Sequence, residues 1–240
     1  MNLEEIIYKR QSIRLYDETP LDEETLNEIR DFIDNAKPLN PNITWSYDIV
    51  SPQNINSMMR WKAPHYLILF SETKENYHEN IGFIFQQADL FLQSKEIGSC
   101  WIGMAKPKNY ANKNADHKFV IAISFGKSLK PIYREKSEFK RKGLDEISDR
   151  IDERLIPAQF APSATNSQPW YFIHNDDGSY SIYRINRGFL RNKFMSRWNK
   201  IDIGIALAHL YVANKETFSF YMDENPNEIN NYFYEGTFKI

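Results

Sequence analysis

The stretch FAPSATNSQPWYF, residues 160–172, is small and polar for eight residues, then closes on Pro169-Trp170 and an aromatic, strand-like tail. It lies two-thirds of the way along a chain of 240 residues. A blurred counterpart, NAKPLNPNITWSYDI, stands near the start at 35–49. The relation between these two stretches decides how the rest of the chain is read, because a repeated unit changes the expected architecture.

A shift of 125 residues brings Tyr8 onto Tyr133, Lys9 onto Arg134, Ser12 onto Ser137, Ala36 onto Ala161 and Trp45 onto Trp170. Further on the shift becomes 120, and ADLFLQSKE (88–96) meets AHLYVANKE (208–216). The order helix, loop, helix, strand, apolar helix also recurs. The expectation is an internal duplication with approximate halves 1–125 and 126–240 in one unit spanning 1–240. Two unrelated α+β halves of similar composition are the alternative. A duplicated chain whose halves pack together reproduces the reciprocal contacts of a two-fold homodimer. Its two former sites are free to diverge. YKRQSIR (8–14) faces YREKSEF (133–139), so Arg10 is replaced by Glu135 and Arg14 by Phe139. Conversely, only the second half keeps APSATNSQPW.

Local patterns fill in the elements. Leu3, Ile6 and Ile7 are spaced for a short amphipathic helix, and Leu21, Leu26, Ile29 and Ile33 for a second with acidic residues in its first turn. WSYDIV (45–50) and HYLILF (65–70) read as strands, the latter apolar throughout and suited to a sheet centre. Residues 81–95 read as a helix buried on most of its circumference. IGSCWIGM breaks that helix at Gly98 and turns toward a strand at 119–126. The basic stretch 127–148 reads as a surface loop, and DEISDRIDERLIPAQ (145–159) as a helix ended near Pro157. YFIHNDDGSYSIYRI carries a hairpin signal around Asn-Asp-Asp-Gly. Residues 201–216 form a second apolar helix, and the tail from 223 gives a weak strand signal near its end.

Composition limits the function classes. Hydrophobic residues make up 42% and charged residues 26%, ordinary for a soluble globular protein. A net charge of −2 gives no electrostatic case for nucleic acid. A single cysteine, Cys100, rules out an internal disulfide framework and suits a reducing compartment. No signal peptide and no membrane-spanning run is evident, so a cytoplasmic protein is expected. The five histidines lack paired metal spacing, and neither a P-loop nor GxGxxG is present, so no metal site and no Rossmann domain is expected. His65 and His209 sit in apolar runs and read as core residues, and Cys100 as a buried structural thiol.

Four stretches in order along nearly the whole chain then converge: YKRQSIRLY, KAPHYLILF with GSCWIGM, FGKSLKPIYREKSEFKRKGLDEI, and APSATNSQPWYF. Together they resemble the nitroreductase family of FMN-dependent oxidoreductases, above all its single-chain branch with two fused halves. APSATNSQPW is displaced from its usual early position. The resemblance implies an α+β nitroreductase-like fold whose pseudo-symmetric halves mimic the family homodimer. It further implies FMN as cofactor and ping-pong transfer of electrons from NADH or NADPH to a nitroaromatic, quinone or similar flat acceptor. A monomer is expected, since fusion replaces the dimer.

The site residues follow from the same likeness. Arg10, Gln11, Ser12 and Arg14 match the segment that grips the FMN phosphate and ribityl chain. Two guanidinium groups and a hydroxyl at alternating positions suit a dianionic phosphate, although a solvated basic turn carries the same residues. Arg141 matches a further phosphate cation, with Lys140 and Lys142 beside it and Gly143 where proline is usual. A solvated charge run is the alternative there. Ile102 and Gly103 match the loop along the reactive face of the flavin, Ile102 standing where a Glu-like residue is common. Pro162, Ser163, Ala164 and Asn166 match the loop that packs on the flavin held by the first-half motif, giving one composite site. Small residues with an amide allow close approach to a flat ring. Trp170 reads as core packing. Asn56 loosely matches an amide at the flavin pyrimidine edge. No side chain is assigned as catalytic. A flavin-binding sensor or storage protein and a flavin-free interaction module are the competing functions.

Overall fold

The computed structural model describes residues 2–108, 110 and 114–240, with backbone alone at 189–191 and 193. The chain divides into two compact units, Met1–Tyr77 with Gln87–Glu138, and His78–Gln86 with Phe139–Ile240.

In the first unit, α1 (Leu3–Ile7) buries Ile6 and Ile7. Helix α2 (Glu23–Asp34) starts where the Asp22 carboxylate accepts the Thr25 N–H at 2.7 Å, a capping contact that satisfies one of the orphan donors of a helix start. Its buried stripe is Leu26, Ile29 and Ile33. Phe32 stacks on Phe91 of α3 (Tyr77–Ser94) with ring centres 4.1 Å apart. The sheet comprises β1 (Trp45–Val50), β3 (His65–Ser71), β6 (Lys118–Lys127) and β4 (Ile97–Ile102) in the order β1-β3-β6-β4, antiparallel throughout. All seven residues of β3 are buried, as its unbroken apolar run requires at a sheet centre. A two-stranded ribbon, β2 (Ile55–Ser57) with β5 (Ala105–Pro107), completes the unit.

The second unit contains α4 (Leu144–Ile147), α5 (Ile156–Gln159), β7 (Trp170–His174), β8 (Tyr180–Ile185), α6 (Phe189–Ala213), β9 (Ser219–Tyr221) and β10 (Tyr232–Lys239). The sheet order is β7-β8-β10-β9, again antiparallel. The β7–β8 hairpin turns at Gly178, whose φ of 79° suits glycine. Trp170 opens β7 and is fully buried, in keeping with a packing role.

The two sheets share one topology. In each, the four strands taken in chain order lie first-second-fourth-third, with the long helix between the second and third. Helix α2 ends at Asp34 and β1 begins at Trp45; α5 ends at Gln159 and β7 begins at Trp170, each displaced by 125 residues. Reciprocal contacts also occur. A Cβ on Gly82 would lie 2.2 Å from the Ile201 carbonyl oxygen, and one on Gly204 would lie 1.9 Å from that of Glu79. Each glycine therefore lets α3 and α6 meet backbone to backbone, and a shift of 122 residues turns one contact into the other.

Two expectations are corrected. Residues 97–102 form strand β4, and the preceding helix stops at Ser94, followed by a left-handed Glu96. Residues 145–159 are not one helix. Ser148 is extended and bridges to Phe172, and Pro157 occupies the start of α5, where its missing N–H costs no hydrogen bond. The strand signal near the end of the tail is borne out as β10, between β8 and β9.

Candidate functional site

The segment after α1 runs against β4, with Ile13 N–H donating to the Ser99 carbonyl at 2.9 Å. A Cβ on Gly98 would fall within 3 Å of the Ile13 side chain, so this glycine admits the segment. Arg10 is 1% exposed and its Nε lies 2.9 Å from Asp89 Oδ2, also buried. Ser99 Oγ donates to Asp89 Oδ1 at 2.6 Å, and Gln93 Nε2 donates both to Ser99 Oγ and to the Gln11 carbonyl. Arg10 Nη2 is sealed with no acceptor among the described residues. Gln11 Nε2 donates to the carbonyls of Pro131 and Tyr133. Ser12 is half-buried, and Arg14 is exposed over the Trp61 ring at 5.5 Å. The cations that this segment presents to solvent are Lys9 and Arg14, while Arg10 is held in a buried ion pair.

Arg134 is the residue that the sequence reading passed over. Its N–H donates to the Lys9 carbonyl at 2.9 Å beside an Arg10–Tyr133 bridge. Burial, and then the neighbouring charge of Arg10, push its guanidinium down to about 10. Two cations thus crowd a region whose buried carboxylate is Asp89. The signal was present in the alignment of Tyr8-Lys9 with Tyr133-Arg134. These segments are paired antiparallel, and Lys136 lies over the Tyr8 ring much as Gln11 reaches Tyr133.

Ile102 ends β4, is buried and pairs with Ala122; Gly103 follows it, half-buried, before the exposed Met104. Asn56 is exposed on the β2–β5 ribbon. Cys100 is buried, and that burial pushes its thiol up, which fits an inert role. His65 accepts the Leu21 N–H at 2.9 Å, and His209 lies between Gln86 and the Pro157 carbonyl, so both are satisfied core residues.

In the second unit the structure joins two predicted segments. Arg141 Nη1 donates to Asn166 Oδ1 at 2.6 Å, and Asn166 Nδ2 returns a bond to the Lys140 carbonyl at 2.9 Å. The Lys142 N–H donates to Gln168 Oε1 at 2.8 Å, and the Gln168 N–H to Ser163 Oγ. Thr165, Asn166 and Gln168 all have left-handed φ, at 54°, 56° and 44°. Each costs on the order of 1 kcal/mol outside glycine, so the clamp of side-chain bonds holds a strained loop. Pro162, Ser163 and Ala164 are half-buried along its rising limb. The Ala164 N–H donates to Asp202 Oδ1 on α6 at 3.0 Å. Burial pushes the Asp202 carboxyl up to about 8, against the pull of Ala164 N–H and the Ser167 hydroxyl.

Two further polar clusters belong to the second unit. Glu79 and Glu235 are buried, with Arg184 Nε 2.5 Å from Glu235 and Lys200 Nζ 3.4 Å from Glu79. Burial first, and then the Glu235 charge, raise the Glu79 carboxyl. His174 lies between Asp149 at 2.6 Å and Asp152 at 3.0 Å, and Tyr180 also donates to Asp152. Among the described residues no group of three or more His, Cys, Asp or Glu side chains is placed to hold a metal, and no helix is long and apolar enough to cross a membrane.

A family model described as "Putative TM nitroreductase" matches residues 2–214. The chain belongs to this nitroreductase family. Among solved structures, the fold is similar to that of a protein of Thermotoga maritima MSB8 described as a "putative nitroreductase". The TM-score is 0.64 at 20% identity over 99% of this chain and 92% of that one. A nitroreductase family protein of Clostridium novyi NT matches at TM-score 0.45 and 17% identity, over 53% of this chain and 87% of that one. An FMN-dependent nitroreductase of Clostridium difficile R20291 matches at TM-score 0.44 and 17% identity, over 56% and 93%. No curated protein matches the chain.

Proposed function

We propose that this nitroreductase-family chain is an FMN-dependent oxidoreductase that takes electrons from NADH or NADPH. The observation that carries the proposal is the family match from residue 2 to 214, which takes in both the 10–14 segment and the 162–168 loop. When bound, the flavin supplies the redox chemistry in a ping-pong cycle ending on a nitroaromatic, quinone or similar flat acceptor.

The residues present fit the group in each unit. In the first, Arg14 offers an open guanidinium and Ser12 a hydroxyl, with Arg134 adding positive potential suited to a phosphate. Arg10 braces the segment from within, its charge offset by Asp89. Gln11 positions backbone, since its amide is spent on carbonyls. Ile102 and Gly103 offer main chain at the end of β4. In the second, Pro162, Ser163 and Ala164 are small enough for backbone to approach a ring, and Arg141 holds the Asn166 amide in place. The decisive test is the absorbance of the purified protein. A flavin spectrum that bleaches anaerobically with NAD(P)H and recovers with a quinone supports the reading. A colourless protein that takes up no added FMN refutes it, and a bound flavin that never bleaches favours a sensor or storage role.

We also propose that the chain arose by duplication and acts as a cytoplasmic monomer. The shared sheet topology, the 125-residue displacement of matching element ends, and the reciprocal Gly82 and Gly204 contacts support the duplication. Sedimentation velocity at one chain per particle, with one FMN bound, is the expected result; two FMN per chain would contradict the loss of the second site at Glu135 and Phe139.

A further inference from the structure

Arg14 follows Ile13, which is buried in an apolar cluster of the first unit with Ile55, Tyr66 and Ile102. Trp61, on the loop after β2, is half-buried and packs against the same cluster. Its indole nitrogen is closed from solvent, so the ring is anchored by that edge. The Arg14 guanidinium carbon lies over this ring, 5.5 Å from its centre, within the range where the ring quadrupole attracts a cation. Among the described residues Arg14 makes no ion pair and no hydrogen bond. Its neighbours differ. Arg10 is held by Asp89, and the Gln11 amide is spent on two carbonyls. A carboxylate beside Arg14 would also hold it, but would occupy its donors and offset its charge. A ring does neither. All five N–H donors of Arg14 therefore remain for a ligand, on a side chain already held in place.

We propose that Trp61 is a positioning residue for Arg14: its ring holds the guanidinium ready for a phosphate monoester and so sets how strongly the chain prefers FMN to riboflavin. The inference rests on the flavin reading above. A long exposed arginine loses rotamer freedom when it closes on a ligand, and a surface that holds it beforehand removes part of that loss. Trp61 acts through Arg14 alone, so its effect is confined to ligands that carry the phosphate. Riboflavin is FMN without that group and serves as the control. The attraction of an exposed cation to an aromatic face corresponds to about two- to fivefold in a binding constant. That is less than the effect of removing Arg14 itself.

Fluorescence titration of the flavin-stripped full chain with FMN and with riboflavin tests this. The wild-type chain should prefer FMN. Trp61→Leu should bind FMN about two- to fivefold more weakly and riboflavin unchanged. Trp61→Phe keeps an aromatic face and drops an N–H that has no acceptor, so it should restore most of the preference. In the Arg14→Ala background, Trp61→Leu should weaken FMN binding no further, since the pair acts as one unit. If Trp61→Leu does not fold, Trp61→Met, which fills similar space without an aromatic face, takes its place. Uptake of neither flavin by the wild-type chain refutes the flavin reading, and this inference with it. A preference for FMN that persists undiminished in a folded Trp61→Leu protein overturns the inference and leaves the flavin reading standing. Equal weakening of both flavins assigns Trp61 to packing alone and overturns it too, as does a wild-type chain that binds both flavins equally.

Discussion

Replacing Gly204 with alanine tests the crossing of α3 and α6 most directly. The added Cβ would lie 1.9 Å from the Glu79 carbonyl oxygen and 2.8 Å from both the Glu79 carbonyl carbon and the Phe83 nitrogen, all of them backbone. Heavy atoms rest about 3.5 Å apart, so the helices must part by roughly 1.5 Å. Overpacking of this kind costs about 1–3 kcal/mol, and backbone neighbours that cannot rotate away place it at the upper end. Alanine returns about 1 kcal/mol through helix propensity. The net expectation is a loss of about 2 kcal/mol, read as a lower midpoint in urea denaturation followed by circular dichroism. Gly82→Ala, 2.2 Å from the Ile201 carbonyl oxygen, should behave alike. Once either variant has parted the helices, the other clash is partly relieved. The double variant should therefore cost about 1 kcal/mol less than the sum. A Gly204→Ala protein that is unchanged or stabilised would refute the close crossing. Strict additivity would refute the claim that both glycines serve one contact.

Three other outcomes are expected. Asp202 has its carboxyl raised to about 8 by burial, so its stabilising contribution is complete below about pH 4 and lost as pH rises through 8; Asp202→Asn should flatten the fall in Tm between pH 5 and 9. Asp152 is the opposite case: burial works to raise its carboxyl, but hydrogen bonds from Arg154, Tyr180 and His174 outweigh it and hold it well below the usual range. Its contribution is present above about pH 4 and lost on further acidification, so Asp152→Asn should lower Tm at pH 7 and soften the acid limb of the Tm profile. For the flavin reading, Arg14→Ala should weaken FMN binding by about tenfold with little change in Tm, whereas Arg10→Ala should lower Tm because it takes the guanidinium away from the buried Asp89 carboxylate; fluorescence titration and thermal melts separate the two effects.

Much of the fold was legible because local signals agreed with burial. The acidic first turn and 26-29-33 stripe of α2, the unbroken apolar run of β3 and the Asp-Gly hairpin each specify a conformation without help from distant residues. The misreadings share a physical cause. IGSCWI has the composition of a turn because of Gly98, yet that glycine serves an approach by Ile13, a contact 85 positions away in sequence. Residues 145–159 have helical periodicity, but Asp149 and Asp152 are drawn to His174 on β7, and this tertiary demand breaks the helix. The terminal strand was faint because Glu235 and Gly236 interrupt its aromatic run, and β10 owes its place to pairing on both edges.

The site was legible in its residue types and much less so in their duties. A motif such as YKRQSIR states which side chains are present, but not which is spent inside the protein. Asp89, 79 positions from Arg10, decides that, and no local pattern reveals it. The 162–168 loop shows the converse. Its small residues implied close approach to a ring, but the left-handed geometry of Thr165, Asn166 and Gln168 depends on partners at 140–142 and on α6. The basic run at 139–143 therefore acts in part as a buttress for that loop. Loss of Arg141 should loosen Asn166 even where no ligand is bound, which distinguishes a cation that holds the loop from one that only meets a phosphate.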